Sequence, residues 1–406
     1  MRVTWRGIGA VLVAGVCALA AACGGGDEQA ASTAPPDAVT TNASPPAEPT
    51  TRTVQFPVAA VQDDFFPVDA IENIPGRVDM VSEVGVRVVR FDVFWSAVAP
   101  TEPADPTDPA DPVYDWSRVD LIMRELAEAD IVPIISVFNT PAWATDLPAP
   151  EEGVVINTAA PRPEDYADFM HAFATRYRGD FTPAGEDEPL PAGRRLEIWN
   201  EPNLGGFFEP QVDESGERVS LDNYAAMVEA AYPAIKDANP DAIVIVGVGG
   251  PRSSSGDSGT GALDWLRGLR EREIPLDAYS QHIYPAAPPT VETDVVPSWG
   301  TIDLMLEELD GFREGVQLYV TEAGYTTATT PFRNRAVTEE EQAQYLREIF
   351  ALPQLQTSRI PVVVQFNFQD NANWPAGLLR ADGSQKPSYE VYRDIVASQG
   401  GATLTR

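Results

Sequence analysis

Cysteine is almost missing from this 406-residue chain: Cys17 and Cys23 are the only two, both near the N-terminus. That rules out a disulfide framework and a cysteine-ligated zinc site in the body of the chain. Histidine is as scarce, with His171 and His282 alone, which weakens any histidine-rich metal centre. Lysine occurs only as Lys236 and Lys386, and Lys plus Arg total 28 against 61 Asp plus Glu, for a formal net charge of -33. Phosphate binding needs concentrated base, so the balance argues against a nucleic-acid partner. No G-x-G-x-x-G follows the first strand pattern and there is no P-loop, so nucleotide-binding fingerprints are missing too. What remains is a chain that is 44% apolar, enough to bury a large core.

Arg2 and Arg6 precede the uncharged apolar stretch Gly7 to Ala22, which is too short for a comfortable transmembrane helix and reads as a secretory signal over 1–22. The ending Leu19-Ala20-Ala21-Ala22-Cys23, followed by three glycines, resembles a bacterial lipoprotein box. The resemblance implies an acylated Cys23 as mature N-terminus and an extracytoplasmic, membrane-anchored protein. An ordinary cleaved signal with a chance cysteine is the competing reading. Residues 24–53 are Gly, Ala, Ser, Thr and Pro with a few acids and no apolar periodicity, so 23–53 is expected to be a flexible tether.

From residue 54 a short β-branched run, a loop and a longer amphipathic segment alternate eight times. The strand candidates are Val54 to Val61, Val86 to Asp92, Ile131 to Phe138, Leu196 to Glu201, Ala242 to Gly249, Ala278 to Tyr284, Val316 to Glu322 and Pro361 to Phe368. Helical patterns fall near 74–84, 116–129, 163–178, 221–238, 261–272, 300–312, 338–351 and 387–398, with Thr338 and Glu341 spaced as a capping box. Runs such as Ile131 to Ile135 are apolar without alternation, as suits parallel strands covered on both faces. Eight such units predict an α/β fold, a single-domain (β/α)8 TIM barrel over 54–398 with a tail at 399–406. Loops at 100–114, 145–161 and 202–220 then lie on the carboxyl rim, where this fold places chemistry.

Two acids close predicted strands on opposite sides of that rim. In Leu196-Glu197-Ile198-Trp199-Asn200-Glu201-Pro202-Asn203, alternation puts Glu197, Trp199 and Glu201 on one face, with Glu201 at the rim and Glu197 deeper. Glu322 ends the seventh strand before Ala323-Gly324. Facing carboxylates are what glycoside hydrolysis requires, one to protonate the departing oxygen and one to attack the anomeric carbon.

Asn200-Glu201-Pro202, Thr321-Glu322-Ala323-Gly324, Thr140-Pro141-Ala142-Trp143 and Ser280-Gln281-His282-Ile283-Tyr284, in barrel order, resemble the clan A glycoside hydrolases. Families 39 (xylosidases and iduronidases) and 5 (cellulases) are the most similar. The resemblance implies a retaining β-glycosidase without metal or cofactor, with Glu201 as acid/base, Glu322 as nucleophile and Asn200 on the sugar 2-hydroxyl. It implies that Arg90 and Tyr284 donate to Glu322 and that His282 orients Glu201 or contacts sugar. Members of the clan often end strand eight with a Trp under the sugar; here Phe368, Gln369 and Trp374 are the candidates.

Bland readings stand beside these. Arg90 could instead neutralise Glu197 inside the barrel, since a buried acid is costly without a partner. Asn139, Trp95 and Trp143 are candidate carbohydrate contacts, as are Trp199, Phe207, Phe208, Trp299 and Tyr325, because rings stack on the C–H faces of sugars, yet each fits equally as a loop anchor. His171 sits on a predicted helix, as a surface or packing residue. Asp105, Asp108 and Asp111 recur every three residues, but the intervening prolines favour a solvated extended loop over a calcium site. A non-catalytic carbohydrate-binding surface protein on the same barrel is the rival from another class.

Overall fold

A computed structural model describes residues 56–148 and 157–405. The signal, tether and Cys23 expectations lie outside those residues, as does part of the 145–161 loop.

Eight parallel strands close in sequence order: β1 (Val58–Gln62), β2 (Val88–Phe94), β3 (Val132–Phe138), β4 (Arg195–Ile198), β5 (Ile243–Gly249), β6 (Ala278–Ile283), β7 (Gln317–Ala323) and β8 (Val362–Gln365). β8 pairs with β1 from Val58 opposite Val362 to Val61 opposite Gln365, which removes both sheet edges. Around the sheet lie α1 (Ile74–Val84), the single turn α2 (Trp95–Val98), α3 (Ser117–Glu128), α4 (Pro163–Arg176), α5 (Ser220–Ala238), α6 (Ala262–Glu271), α7 (Ile302–Asp310), α8 (Glu339–Ala351) and α9 (Pro387–Ser398). The predicted (β/α)8 barrel is thus the fold. The capping box forms, with Thr338 Oγ1 accepting from the Glu341 N–H at 3.1 Å and Glu341 Oε2 accepting from the Thr338 N–H at 2.8 Å.

Alternation along each strand sorts the core into two shells. Ala59, Val61, Val89, Phe91, Ile135, Val137, Leu196 and Ile198 face the helices. Val58, Ala60, Val88, Ile134, Ile245, Ala278, Tyr319, Val362 and Val364 fill the lower barrel. Above them the inward positions turn polar: Gln62, Arg90, Ser136, Glu197, Ser280 and Thr321, all at most 1% exposed. The change from apolar floor to polar ceiling within one barrel makes the upper end a site.

Three departures from regular pairing shape that upper end. In β7 the ladder passes from Ser280 opposite Tyr319 to His282 opposite Glu322, so three residues answer two. The bulge re-aims Glu322. β5 bulges likewise between Val246 and Gly249, at Gly247 (φ +90) and Val248 (φ +37). A Cβ on Gly247 would stand 2.1 Å from the Tyr279 ring, so only glycine fits. β4 stops at Ile198, because Trp199 turns to φ +71 and Glu201 to φ +45.

The tail is not a loose end. Leu404 is 5% exposed and packs among the lower barrel residues. Arg195 Nη2 donates to the Thr405 carbonyl at 2.8 Å, and Thr403 Oγ1 donates to the Arg87 carbonyl at 3.2 Å. Leu404→Ala is expected to cost about 2 kcal/mol by uncovering that floor, read as a lower urea midpoint with the far-ultraviolet circular dichroism of the folded protein unchanged.

Candidate functional site

Arg90 stands at the centre of the mouth, fully buried. Its Nε donates to Glu197 Oε2 at 2.7 Å, Nη1 to Glu322 Oε1 at 2.8 Å and to Gln62 Oε1, and Nη2 to Asn200 Oδ1 at 2.8 Å. The two sequence readings of Arg90 are therefore both realised, because one guanidinium has enough N–H groups to serve the deep acid and the rim acid at once. Tyr284 adds a second donor, its hydroxyl 2.7 Å from Glu322 Oε2.

Glu201 arrives differently. With Trp199 in the left-handed region, the strand's alternation breaks, and Trp199 packs outward against Tyr166 and Phe208. The expectation that Glu197, Trp199 and Glu201 share a face is corrected: Glu197 faces the barrel interior, Trp199 the helices, and Asn200 and Glu201 the mouth. The Glu201 N–H donates to the Val248 carbonyl at 3.0 Å, which the β5 bulge presents. A Cβ on Gly250 would lie 3.0 Å from the Glu201 carboxyl carbon, so a larger residue there would push the acid away. His282 Nδ1 lies 2.8 Å from Glu201 Oε1 and 3.3 Å from Glu322 Oε2. One ligating atom from each of Glu201, His282 and Glu322 falls within 4.8 Å of the others. Among the described residues this is the only such trio, and the adjacent Arg90 charge opposes a second cation there.

Burial dominates the proton affinities. Desolvation lifts the Glu201 carboxyl to about 7, against an ordinary 4.5, with Arg90 and Arg333 resisting. Desolvation also raises Glu322, while the permanent charge of Arg90 pulls it back. His282 itself is driven down to about 4, chiefly by burial, so its ring is neutral at neutral pH. Desolvation raises Asp92 to about 6 and Asp64 well above the carboxylate range. Glu322 accepts from two donors, Arg90 and Tyr284; Glu201 is met by His282 Nδ1.

The aromatic expectations divide. Trp374 reaches the site, edge-on to Tyr284 with ring centroids 4.9 Å apart. Trp95 is fully buried, stacked on Phe169 in the helical layer, and Phe368 is fully buried in the outer core, so neither can touch sugar. Trp199, Phe208, Trp299 and Tyr325 are core as well. Trp143 packs on Trp95 and donates to the Ala99 carbonyl at 2.8 Å, as a loop anchor. Gln369 is no floor: its Oε1 accepts from Arg77, which is ion-paired to buried Asp63. Asn139 is 2% exposed at φ +76, its Oδ1 taking the Asn157 N–H at 2.7 Å, so it organises the β3 loop. The Asp-Pro segment is a chain of tight turns around Asp111, 7% exposed and accepting from the N–H groups of Ala104, Asp105 and Val113, in place of the expected extended loop.

Sequence reasoning missed Gln62, Asp64, Asp92 and Arg333. Asp92 was within reach, since it alternates with Arg90 on β2. Gln62 Nε2 bridges Asp64 Oδ1 at 3.1 Å and Asp92 Oδ2 at 3.3 Å, making an acidic wall on the β1–β2 side. Arg333 comes from the β7–α8 loop, where no periodicity marks it.

Fold and site together define a (β/α)8 barrel with two buried carboxyls facing across its mouth. No protein-family model matches the chain, and no curated protein matches it by sequence. Solved structures do match it in fold. A family 39 glycoside hydrolase from Bacteroides cellulosilyticus WH2 is 20% identical, with a TM-score of 0.56 over 84% of this chain and 64% of that one. A family 39 β-xylosidase from Caulobacter crescentus is 20% identical, with a TM-score of 0.56 over 85% and 73%. A glucosidase from Croceicoccus marinus is 18% identical, with a TM-score of 0.60 over 86% and 68%. The chain thus spans just under two thirds of the Bacteroides enzyme's length.

A carboxyl that holds its proton to about pH 7 makes folding pH-dependent. Below pH 4.5 it is protonated folded or unfolded and costs nothing; between 4.5 and about 7 only the unfolded chain releases the proton, so stability falls, and above that the loss is constant. Glu201→Gln should therefore be more stable than wild type at pH 8 by up to about 3 kcal/mol, with the difference vanishing by pH 4. Urea unfolding at the two pH values checks it.

Proposed function

We propose that this chain is a retaining glycoside hydrolase that cleaves β-glycosidic bonds of oligo- or polysaccharides by double displacement. The observation that carries the reading is the Glu201–Glu322 pair, with oxygens within 4.8 Å, near the separation of about 5–5.5 Å used when one carboxylate attacks directly and well short of the roughly 6.5–9.5 Å of an inverting pair. The fold likeness to family 39 hydrolases points the same way.

Glu322 is the nucleophile. Arg90 and Tyr284 hold both its oxygens, fixing its aim and favouring the charged form over what burial alone would leave. Glu201 is the acid/base: it gives its proton to the departing glycosidic oxygen as Glu322 bonds to the anomeric carbon. The glycosyl ester is then opened by water, which loses a proton to Glu201 as the bond to Glu322 breaks. Inversion occurs twice, so configuration is retained. Neutral His282 keeps the Glu201 carboxyl in line through either of its protonation states, and Asn200, fixed by Arg90, is placed for the sugar 2-hydroxyl. Exported and held at the membrane through an acylated Cys23, the enzyme would meet polysaccharide outside the cell.

Aryl β-xylosides and β-glucosides are the first substrates to screen, after the named activities of the similar structures. Glu322→Ala should lose almost all turnover and regain it with azide. Glu201→Ala should lose about 10²–10⁴-fold on poor leaving groups and far less on dinitrophenyl glycosides. Oligosaccharide binding without hydrolysis in wild type over long incubation would overturn the assignment. For the anchor, Cys23→Ala in a bacterial host should abolish labelling by radioactive fatty acid and release the protein from the membrane fraction.

A further inference from the structure

One buried amide beside the mouth has no part in the roles above. Asn203 follows Glu201 by two residues and is fully buried, with every side-chain bond going to backbone. Its Oδ1 accepts from the Gly250 N–H at 2.6 Å, and its Nδ2 donates to the Thr260 carbonyl at 2.9 Å and to the Gly250 carbonyl at 3.3 Å. All three bonds cross from the β4–α5 loop to the β5–α6 loop. The Asn203 carbonyl accepts from the Thr260 N–H at 2.8 Å, along the same seam.

Gly250 is the shelf behind the acid. A Cβ there would stand 3.0 Å from the Glu201 carboxyl carbon, so the glycine backbone itself lies against the carboxyl. From the other side Gln281, also fully buried, donates its Nε2 to the Gly249 carbonyl at 2.6 Å and to the Gly250 carbonyl at 3.2 Å. The next residue is His282, whose Nδ1 meets Glu201 Oε1. Two amides therefore pin the shelf, one just beyond the acid in sequence and one beside its imidazole partner. A residue held at both its N–H and its C=O cannot drift, and a carboxyl backed by it stays aimed and dry. The titratable groups around Glu201 are His282 from β6, Tyr284 just past it, Glu322 from β7, Arg90 and Asp92 from β2, and Arg333 from the β7–α8 loop. Asn203 bonds to backbone alone, so what it changes at Glu201 is place and hydration rather than charge.

We infer that Asn203 is a positioning residue for the acid step: through Gly250 it holds the Glu201 carboxyl beside the β5 bulge, leaving Oε2 to face the departing oxygen and keeping water from behind it. The inference rests on the acid/base role proposed for Glu201. Proton transfer needs that oxygen within hydrogen-bond reach of the leaving atom, and a misplacement of about 1 Å spoils it.

The test compares two β-glycosides of the sugar best cleaved in the aryl screen: the dinitrophenyl glycoside, whose leaving group needs no proton, and a disaccharide, whose leaving group does. The readout is the ratio of their kcat/KM values, in which any general loss of folded protein cancels. Asn203→Ala should lower the rate on the disaccharide about tenfold more than on the dinitrophenyl glycoside, a part of the about 10²–10⁴-fold that a general acid supplies. Gly250→Ala keeps Asn203 and sets a methyl against the carboxyl; it should move the ratio the same way, and carries the test alone if Asn203→Ala does not fold. A ratio equal to that of wild type overturns the inference and leaves Asn203 as a loop brace. If wild type cleaves neither glycoside, the hydrolase reading falls and stability decides the rest. The advantage of Glu201→Gln over its parent at pH 8 should shrink in the Asn203→Ala background, because water readmitted to the carboxyl relieves its burial. A smaller advantage sustains the hold of Asn203 on Glu201, and an undiminished one overturns that as well.

Discussion

One guanidinium governs the upper barrel. Glu197 is fully buried at mid-height, where an unpaired carboxylate would be costly. Arg90 pairs with its Oε2, and the remaining N–H groups reach Glu322 on β7, Gln62 on β1 and Asn200 past β4. Four strands are thereby tied to one planar group, so none of their functional side chains can drift independently. Removing one partner from such an arrangement strands a buried charge, which typically costs about 3–5 kcal/mol.

The same crowding explains the proton chemistry. Both mouth carboxyls are raised by loss of water, and what separates them is who donates. Glu322 faces a permanent cation and a phenol; Glu201 faces an imidazole that burial keeps neutral. The asymmetry is built from hydrogen-bond partners more than from depth, since the two acids are equally little exposed. Holding a proton there near neutrality works against stability, a usual trade at reactive sites.

The eight-fold alternation and Glu322 near the end of β7 were legible because period and strand position depend on local sequence; Glu201 was legible as an acid at the mouth, although β4 stops three residues before it. Arg90 was legible in both of its alternative roles, and the structure joins them. What escaped depends on neighbours. Trp199 faces the helices because its backbone enters a left-handed conformation, which alternation cannot foresee. Glu322 is aimed by a bulge that shows only in pairing with β6. Trp95 and Phe368 looked like rim residues by position, but the helical layer rises high enough to cover them. Gln369 answers to Arg77, 292 residues away in sequence, and Arg333 owes its place to a loop path that no local pattern encodes.

Leu404 gives the barrel a closing order. The lower core is complete only when a residue near the far end of the chain docks beneath strands that begin at Val58. β1 must also find β8 across some 300 residues before the sheet has no open edge. Such distant partners make a slow, late closure, so a chain truncated anywhere short of this residue would expose greasy strand interiors and invite self-association before the polar mouth could form.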